Sequence, residues 1–296
     1  MENRSRAAAA WKALKRRPLS LLGFGIIGFF LLIAAIAPIL APVPANSRSA
    51  YLIPEYGYNP EPKLPSAKHW FGTTENQYDL YYGMIWGTRT AFKVAVLVVG
   101  TALLIGIFLG SISGFYGGWV DEALMRFTDV ILAFPGLVLA VVIVSVLGPS
   151  LDHVMLSVAA VWWPSYTRLL RGDVMAIKER EFVLAARALG ASDARILVKH
   201  IIPNSIYPVL VVASLDVGSV VITAAALSFL GLGAPAGYAD WGQLISMSKD
   251  WILGSPGNAF AYWNTVLIPG AAIFLFVLGW NLLGDGVRDI LDPKQR

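Results

Sequence analysis

Long apolar runs free of charge alternate with shorter polar connections along almost the whole chain. Residues 19–41 and 94–116 each hold 23 positions without a charged side chain. A helix needs about 20 mostly apolar residues to cross the hydrocarbon of a bilayer, where only helices and closed barrels satisfy their own backbone. Residues 130–147 form a shorter run in which Pro135 predicts a kink. Residues 151–167 open on Asp152 and His153 and carry Pro164 near their end. Residues 206–230 are long enough but contain Asp216, and residues 265–283 close the series. The pattern predicts an all-α integral membrane protein with six transmembrane helices. Its parts are a terminal segment over 1–18, an anchor over 19–41, a loop over 42–92, a core over 93–283 with a polar insert at 168–205, and a tail over 284–296. No repeat of 20–50 residues stands out.

Composition agrees. With 56% apolar and 14% charged residues and a mean hydropathy of +0.63, the chain is shifted away from soluble proteins and disordered chains. The absence of cysteine excludes disulfides, thiolate metal sites and a cysteine nucleophile. His69, His153 and His200 are too scattered for a local metal motif. The net charge of +4 raises nucleic acid as a partner, but the cations follow membrane sidedness instead. Six of them, Arg4, Arg6, Lys12, Lys15, Arg16 and Arg17, precede the first run. One lies in 117–129, seven in 168–205 and three in 284–296, while the alternate connections hold four, none and one. That bias predicts cytoplasmic N- and C-termini in a multi-pass protein of the cytoplasmic membrane, with no nucleic-acid partner. Val43-Pro44-Ala45 resembles a cleavage site, yet the first run exceeds the 7–15 residues of a signal peptide core and reads as a retained anchor.

The insert at 168–205 is long for a compact membrane protein. Its pattern predicts one helix over 173–189, capped by Asp173, with Val174, Ile177, Leu184, Ala185 and Ala188 broadly on one side. Gly190 is placed to end it in a left-handed conformation. Ser192 or Asp193 would cap a second helix, which Pro203 would stop. Between the two helices lies Ala185-Ala186-Arg187-Ala188-Leu189-Gly190-Ala191, small residues around one cation. Such a knuckle fits close docking by another protein. An amphipathic hairpin lying on lipid headgroups fits the seven cations equally well.

The same residues resemble a known loop. Leu184-Ala185-Ala186, three residues, Gly190, then Ile202-Pro203 is similar to the EAA loop of bacterial and archaeal ABC importer permeases. Leu184 stands for the glutamate of that pattern, His200 for its first isoleucine and Ile202 for its leucine. The wider stretch from Phe182 to Ser192 and from Lys199 to Asn204 resembles the dipeptide/oligopeptide/nickel branch, where a nonacidic residue before the two alanines is common. Residues 18–42, 113–118, 126–135, 227–233, Trp241-Gly242 and 281–294 resemble the "C" permease subunit of that branch in order. After Trp70-Phe71-Gly72-Thr73, however, the family's usual acidic residue and G-R-D give way to Thr74-Glu75-Asn76-Gln77-Tyr78-Asp79, which implies altered contacts there.

The resemblance implies half of a heterodimeric pore importing di- or oligopeptides, or alternatively nickel or another small solute. Its partners would be a second homologous permease, two ATP-binding subunits, an extracytoplasmic peptide-binding protein and membrane lipid. The insert would be the coupling helix. The chain lacks a G-x-x-x-x-G-K-[ST] phosphate loop, so ATP and magnesium would belong to the partners, with no cofactor and no catalysis here. Leu184 to Ser192 would dock the ATPase, with Ala186 and Gly190 in closest approach and Arg187 in an ion pair; Pro203 would fix where the loop returns to the membrane. A secondary transporter working without an ATPase is the competing class, but inverted repeats and paired intramembrane charges are not evident. No nucleophile–base pair or metal cluster points to an enzyme.

Three further features are open at this level. Asp216, an acid inside an apolar run, fits contact with a substrate amine, pairing with Arg168 or with a residue of the second permease, or capping of a break near Gly218. Trp241, Leu244, Ile245, Trp251 and Ile252 recur at helical intervals, as an interfacial helix or as a shelf where Trp241 and Trp251 touch the receptor. Asp285, Arg288 and Asp289 are either a second cytoplasmic contact or solvated charge.

Overall fold

The computed structural model describes residues 18–291. The basic residues counted before position 18, with Lys294 and Arg296, lie outside them. Among the described residues there are ten α-helices: α1 (Pro18–Leu40), α2 (Leu80–Tyr116), α3 (Gly118–Leu132), α4 (Gly136–Leu147), α5 (Leu151–Lys178), α6 (Glu181–Ala188), α7 (Asp193–Ile196), α8 (Ile202–Phe229), α9 (Trp241–Ser246) and α10 (Asn264–Leu291). Among the described residues there is no β-strand, only isolated bridges such as Leu52 opposite Tyr238. Four stretches are long and apolar enough to cross a membrane: α1, α2, Asp193–Phe229 and Asn264–Gly286. The pair α3–α4, bent by 88° at the break before Pro135, makes a fifth.

Contacts set the direction of each helix. Gly106, Gly110 and Gly114 of α2 lie on Tyr166, Thr167–Leu170 and Arg171–Val174 of α5, so the two run parallel. The α3–α4 pair between them must therefore bring the chain back along the bundle. These three glycines are required by the close approach: a Cβ at Gly110 would stand 2.7 Å from the Thr167 carbonyl oxygen, and one at Gly114 2.8 Å from that of Arg171. Helix α10 is antiparallel to α1 (Gly23 on Leu282, Ile26 on Gly279) and to α8 (Gly218 on Val277, Leu215 on Gly284). The start of α1 and the last turns of α10 thus share one end of the bundle with the α5–α8 connection.

Two departures from the sequence pattern concern length. Helix α2 begins at Leu80 rather than near 94, capped by Asp79, whose Oδ1 accepts from the Tyr82 amide at 2.9 Å. Arg89 interrupts the apolar pattern there without exposing the helix. Pro38 of α1 has no N–H for the Ala34 carbonyl, and Arg89 Nε donates to that oxygen at 2.5 Å while its guanidinium lies 4.8 Å from the Trp86 ring centre. Helix α5 continues past Thr167 to Lys178. Asp173 is therefore inside a helix, not its N-cap, and Val174 beside it is fully buried against Gly114.

The opposite end is closed by residues 42–79 and 231–263. Trp241 is 3% exposed: its ring packs on Phe30 and Phe276 at 5.6 and 5.7 Å, and its indole N–H donates to the Met84 carbonyl at 3.2 Å. That corrects both sequence readings of Trp241, because the residue belongs to the core. The helical spacing breaks after Ser246, and Trp251 sits in a separate turn, half-buried and edge-on to Tyr262 at 5.1 Å.

Candidate functional site

Helix α5 stops after Lys178, and the backbone turns at Glu179-Arg180. The Val183 and Leu184 amides donate to the Arg180 carbonyl as α6 begins. Val183 on α6 and Ile196 and Ile201 on the returning limb are fully buried and pin the knuckle to the bundle. The turn is closed by two backbone bonds, Gly190 N–H to Arg187 O at 2.9 Å and Ala191 N–H to Ala186 O at 3.1 Å. This is a Schellman turn, and it places Gly190 at φ +77° as the sequence required. A Cβ at Gly190 would meet nothing within 4 Å.

The outward face is Leu184, Ala185, Arg187, Ala188, Leu189, Gly190 and Ser192, with Leu189 89% exposed at the tip. Ala186 and Ala191 are instead half-buried against the core, so Ala186 holds the knuckle in place from within. Ser192 opens α7 without a side-chain bond. The second limb does not stop at Pro203. It passes through one π turn, Leu197–Ile201, into α8, and Pro203 closely follows that turn, where the helix is already locally widened.

Beside the knuckle, α3 is fastened to α5. Arg171 donates from Nε and Nη2 to the two oxygens of Asp121, each at 2.5 Å, and Ser113 of α2 also donates to Asp121. Arg168 pairs with Asp129, so it is not the partner of Asp216. Lys178 Nζ donates to the Gly114 carbonyl at 3.1 Å. The bent α3, the end of α2 and the root of the knuckle therefore form one cross-linked unit. The separations of 50 and 39 residues within these pairs hid them from sequence reading. The Gly106-Gly110-Gly114 spacing, by contrast, is a small-residue stripe legible in the sequence.

In the interior, Asp216 on α8 is half-buried and faces the buried hydroxyl of Tyr166 on α5. Gly218 marks close packing on α10 rather than a break, since α8 is continuous there. Among the described residues no group of acidic or histidine side chains is arranged to hold a metal ion. Asp285 and Arg288 are exposed on the last turns of α10, and nothing is described of the Asp289 side chain.

The geometry can be set against known proteins. Residues 106–296 match the family model described as binding-protein-dependent transport system inner membrane component, and residues 5–56 match the N-terminal TM domain of oligopeptide transport permease C. The dipeptide transport system permease protein DppC of Alkalihalophilus pseudofirmus is 43% identical over 97% of this chain and 90% of that protein. The probable D,D-dipeptide transport system permease protein DdpC of Escherichia coli K12 is 39% identical over 95% and 89%. A chain of the MetNI methionine ABC transporter, solved in inward-facing conformations, shares the fold over 71% of this chain and 96% of its own, with a TM-score of 0.52 at 16% identity. Helices long and apolar enough to cross a bilayer several times and likeness along nearly the full length place the chain in the family of binding-protein-dependent transport system inner membrane components, with the N-terminal domain of oligopeptide transport permease C.

Proposed function

We propose that this chain is the permease subunit through which an ATP-driven importer moves di- or oligopeptides across the cytoplasmic membrane, and that the knuckle is its coupling helix. The reading rests above all on the knuckle: an apolar tip at Leu189 is held out by a glycine turn while Val183, Ile196 and Ile201 anchor both limbs. The relatives named for dipeptide transport support the solute class. Six crossings, with both termini and the knuckle on the cytoplasmic side, follow if α5 crosses beside its parallel neighbour α2; the shared end of α1, α10 and the α5–α8 connection supports this. Two ATP-binding subunits would seat on the knuckles of this chain and of a second homologous permease, and an extracytoplasmic peptide-binding protein would deliver the solute. Magnesium and ATP belong to the partner subunits. Closure of the motor would move the knuckle with α5, and the Arg171–Asp121 and Arg168–Asp129 pairs would carry α3 along.

Reconstitution of the complex in liposomes tests this. Addition of the loaded binding protein and ATP should drive peptide uptake, and the purified complex should contain two ATPase polypeptides and a second permease. Uptake by this chain alone, without an ATPase, would refute the proposal. Asp216 lines the proposed pathway beside Tyr166, and Asp216→Asn should lower peptide-stimulated ATPase and uptake about tenfold while the complex assembles normally. Normal transport by that variant removes Asp216 from the pathway.

A further inference from the structure

At the end opposite the knuckle, a cavity of about 290 Å³ opens where α1 leaves the bundle and α2 enters it. Its lining includes Leu40, the last residue of α1, Pro42 and the aromatic side chains Tyr56, Trp70 and Tyr81. The rings are preset: Trp70 stands edge-on to Tyr81 at 5.0 Å, Tyr56 leans on His69 at 5.0 Å, and the Tyr81 hydroxyl donates to the Leu40 carbonyl at 3.2 Å. Asp79 lines the cavity too, fixed by the His69 ring at 2.9 Å and by its bond to the Tyr82 amide. Lys68 is exposed in the wall and has no ion pair among the described residues.

We propose that this cavity is a binding site for the headgroup of a zwitterionic membrane phospholipid. The walls match its two charges. An ammonium or choline fits against aromatic faces backed by a carboxylate, and the phosphate fits the Lys68 ammonium. Tyr and Trp at the end of an apolar helix also mark the depth of lipid headgroups. A free peptide is zwitterionic as well, but the location favours lipid. Helix α1 packs on α10 and α2, its Leu32, Ile39 and Leu40 are exposed apolar side chains, and Leu40 lines the cavity, so an acyl chain would have an apolar surface to follow from it. Asp216 and Tyr166 lie on α8 and α5, away from this corner.

The full-length chain in its assembled complex, placed in bilayers with spin-labelled phosphatidylcholine or phosphatidylethanolamine, gives the test. Lys68→Gln removes only an exposed cation and should weaken the motionally restricted lipid component about tenfold. Trp70→Leu should do the same, provided that it assembles. Unchanged restriction in Lys68→Gln overturns the proposal. Displacement of the lipid by millimolar inorganic phosphate would assign the site to a free anion, and displacement by a dipeptide would assign it to the solute; either overturns the lipid reading. Soluble glycerophosphocholine should compete only weakly, because it lacks the acyl chain that Leu32, Ile39 and Leu40 hold.

Discussion

Gly110→Leu should all but abolish accumulation of the folded chain in the membrane. The Cβ alone would come 2.7 Å from the Thr167 carbonyl oxygen and 3.1 Å from the Leu170 Cβ, and neither backbone can retreat without parting α2 from α5. Overpacking a tight core by a few methylenes costs about 1–3 kcal/mol, and a whole side chain driven into a helix–helix seam costs more, against a typical total stability of about 5–15 kcal/mol. In lipid the seam has little hydrophobic drive to compensate, since tails are as apolar as leucine and packing carries the association. The control is on the same helix. Gly100 has nothing within 4 Å of where its Cβ would be, so Gly100→Leu should accumulate normally and gain slightly in helix propensity. Accumulation and thermal unfolding of both variants, measured in detergent extracts, decide it. Equal behaviour of the two would mean that the α2–α5 seam is not where this bundle is held.

What was legible in the sequence depended on whether the membrane or a neighbouring helix decided the outcome. The C-terminal end of helix α1 falls within a residue of the end of its apolar run because lipid sets that limit. The bend before α4 was legible from Pro135, whose ring removes a backbone donor and favours a kink, although Pro38 and Pro164 sit inside continuous helices. The true length of α5 was not. Its last turns are polar, like a loop, and they are helical because Val174 fits against Gly114 while Arg171 reaches Asp121 on another element. A local cap signal at Asp173 lost to that tertiary contact. The start of α2 was hidden similarly, since Arg89 looks like the end of a span until the unpaired Ala34 carbonyl above Pro38 is seen to need it. At the knuckle, the glycine turn was readable because Gly190 needs a positive φ whatever the surroundings. Which alanine faces outward was not, because Ala185, Ala186 and Ala188 are identical side chains, and the burial of Ala186 is decided by the bundle behind it.

The knuckle gives the sharpest separation of folding from function. Gly190→Asp should leave insertion and accumulation unchanged and reduce ATP-driven uptake about 10- to 30-fold, the scale of losing a central interface contact. Aspartate tolerates a left-handed backbone better than most residues, and around Gly190 this chain leaves open space within 4 Å. The left-handed turn at Gly190 costs any side chain about 1–2 kcal/mol, but no neighbouring atom of this chain opposes the substitution, so a functional loss much larger than any loss in accumulation must come from something that approaches from outside. Gly190→Asn, nearly equal in size but uncharged, divides the remaining causes: a loss shared by both variants reports a steric groove, and a loss confined to aspartate reports charge. If the hairpin instead rested on lipid headgroups, one acid at its tip would weaken a diffuse attraction by about 1 kcal/mol, and added salt would erase the difference. Uptake and ATP hydrolysis measured together in liposomes, at low and high salt, distinguish these cases. Hydrolysis that persists without uptake in Gly190→Asp identifies the knuckle as the lever, whereas uptake indistinguishable from the unaltered chain leaves Leu189 and its turn as surface and moves the coupling contact elsewhere on the same end of the bundle.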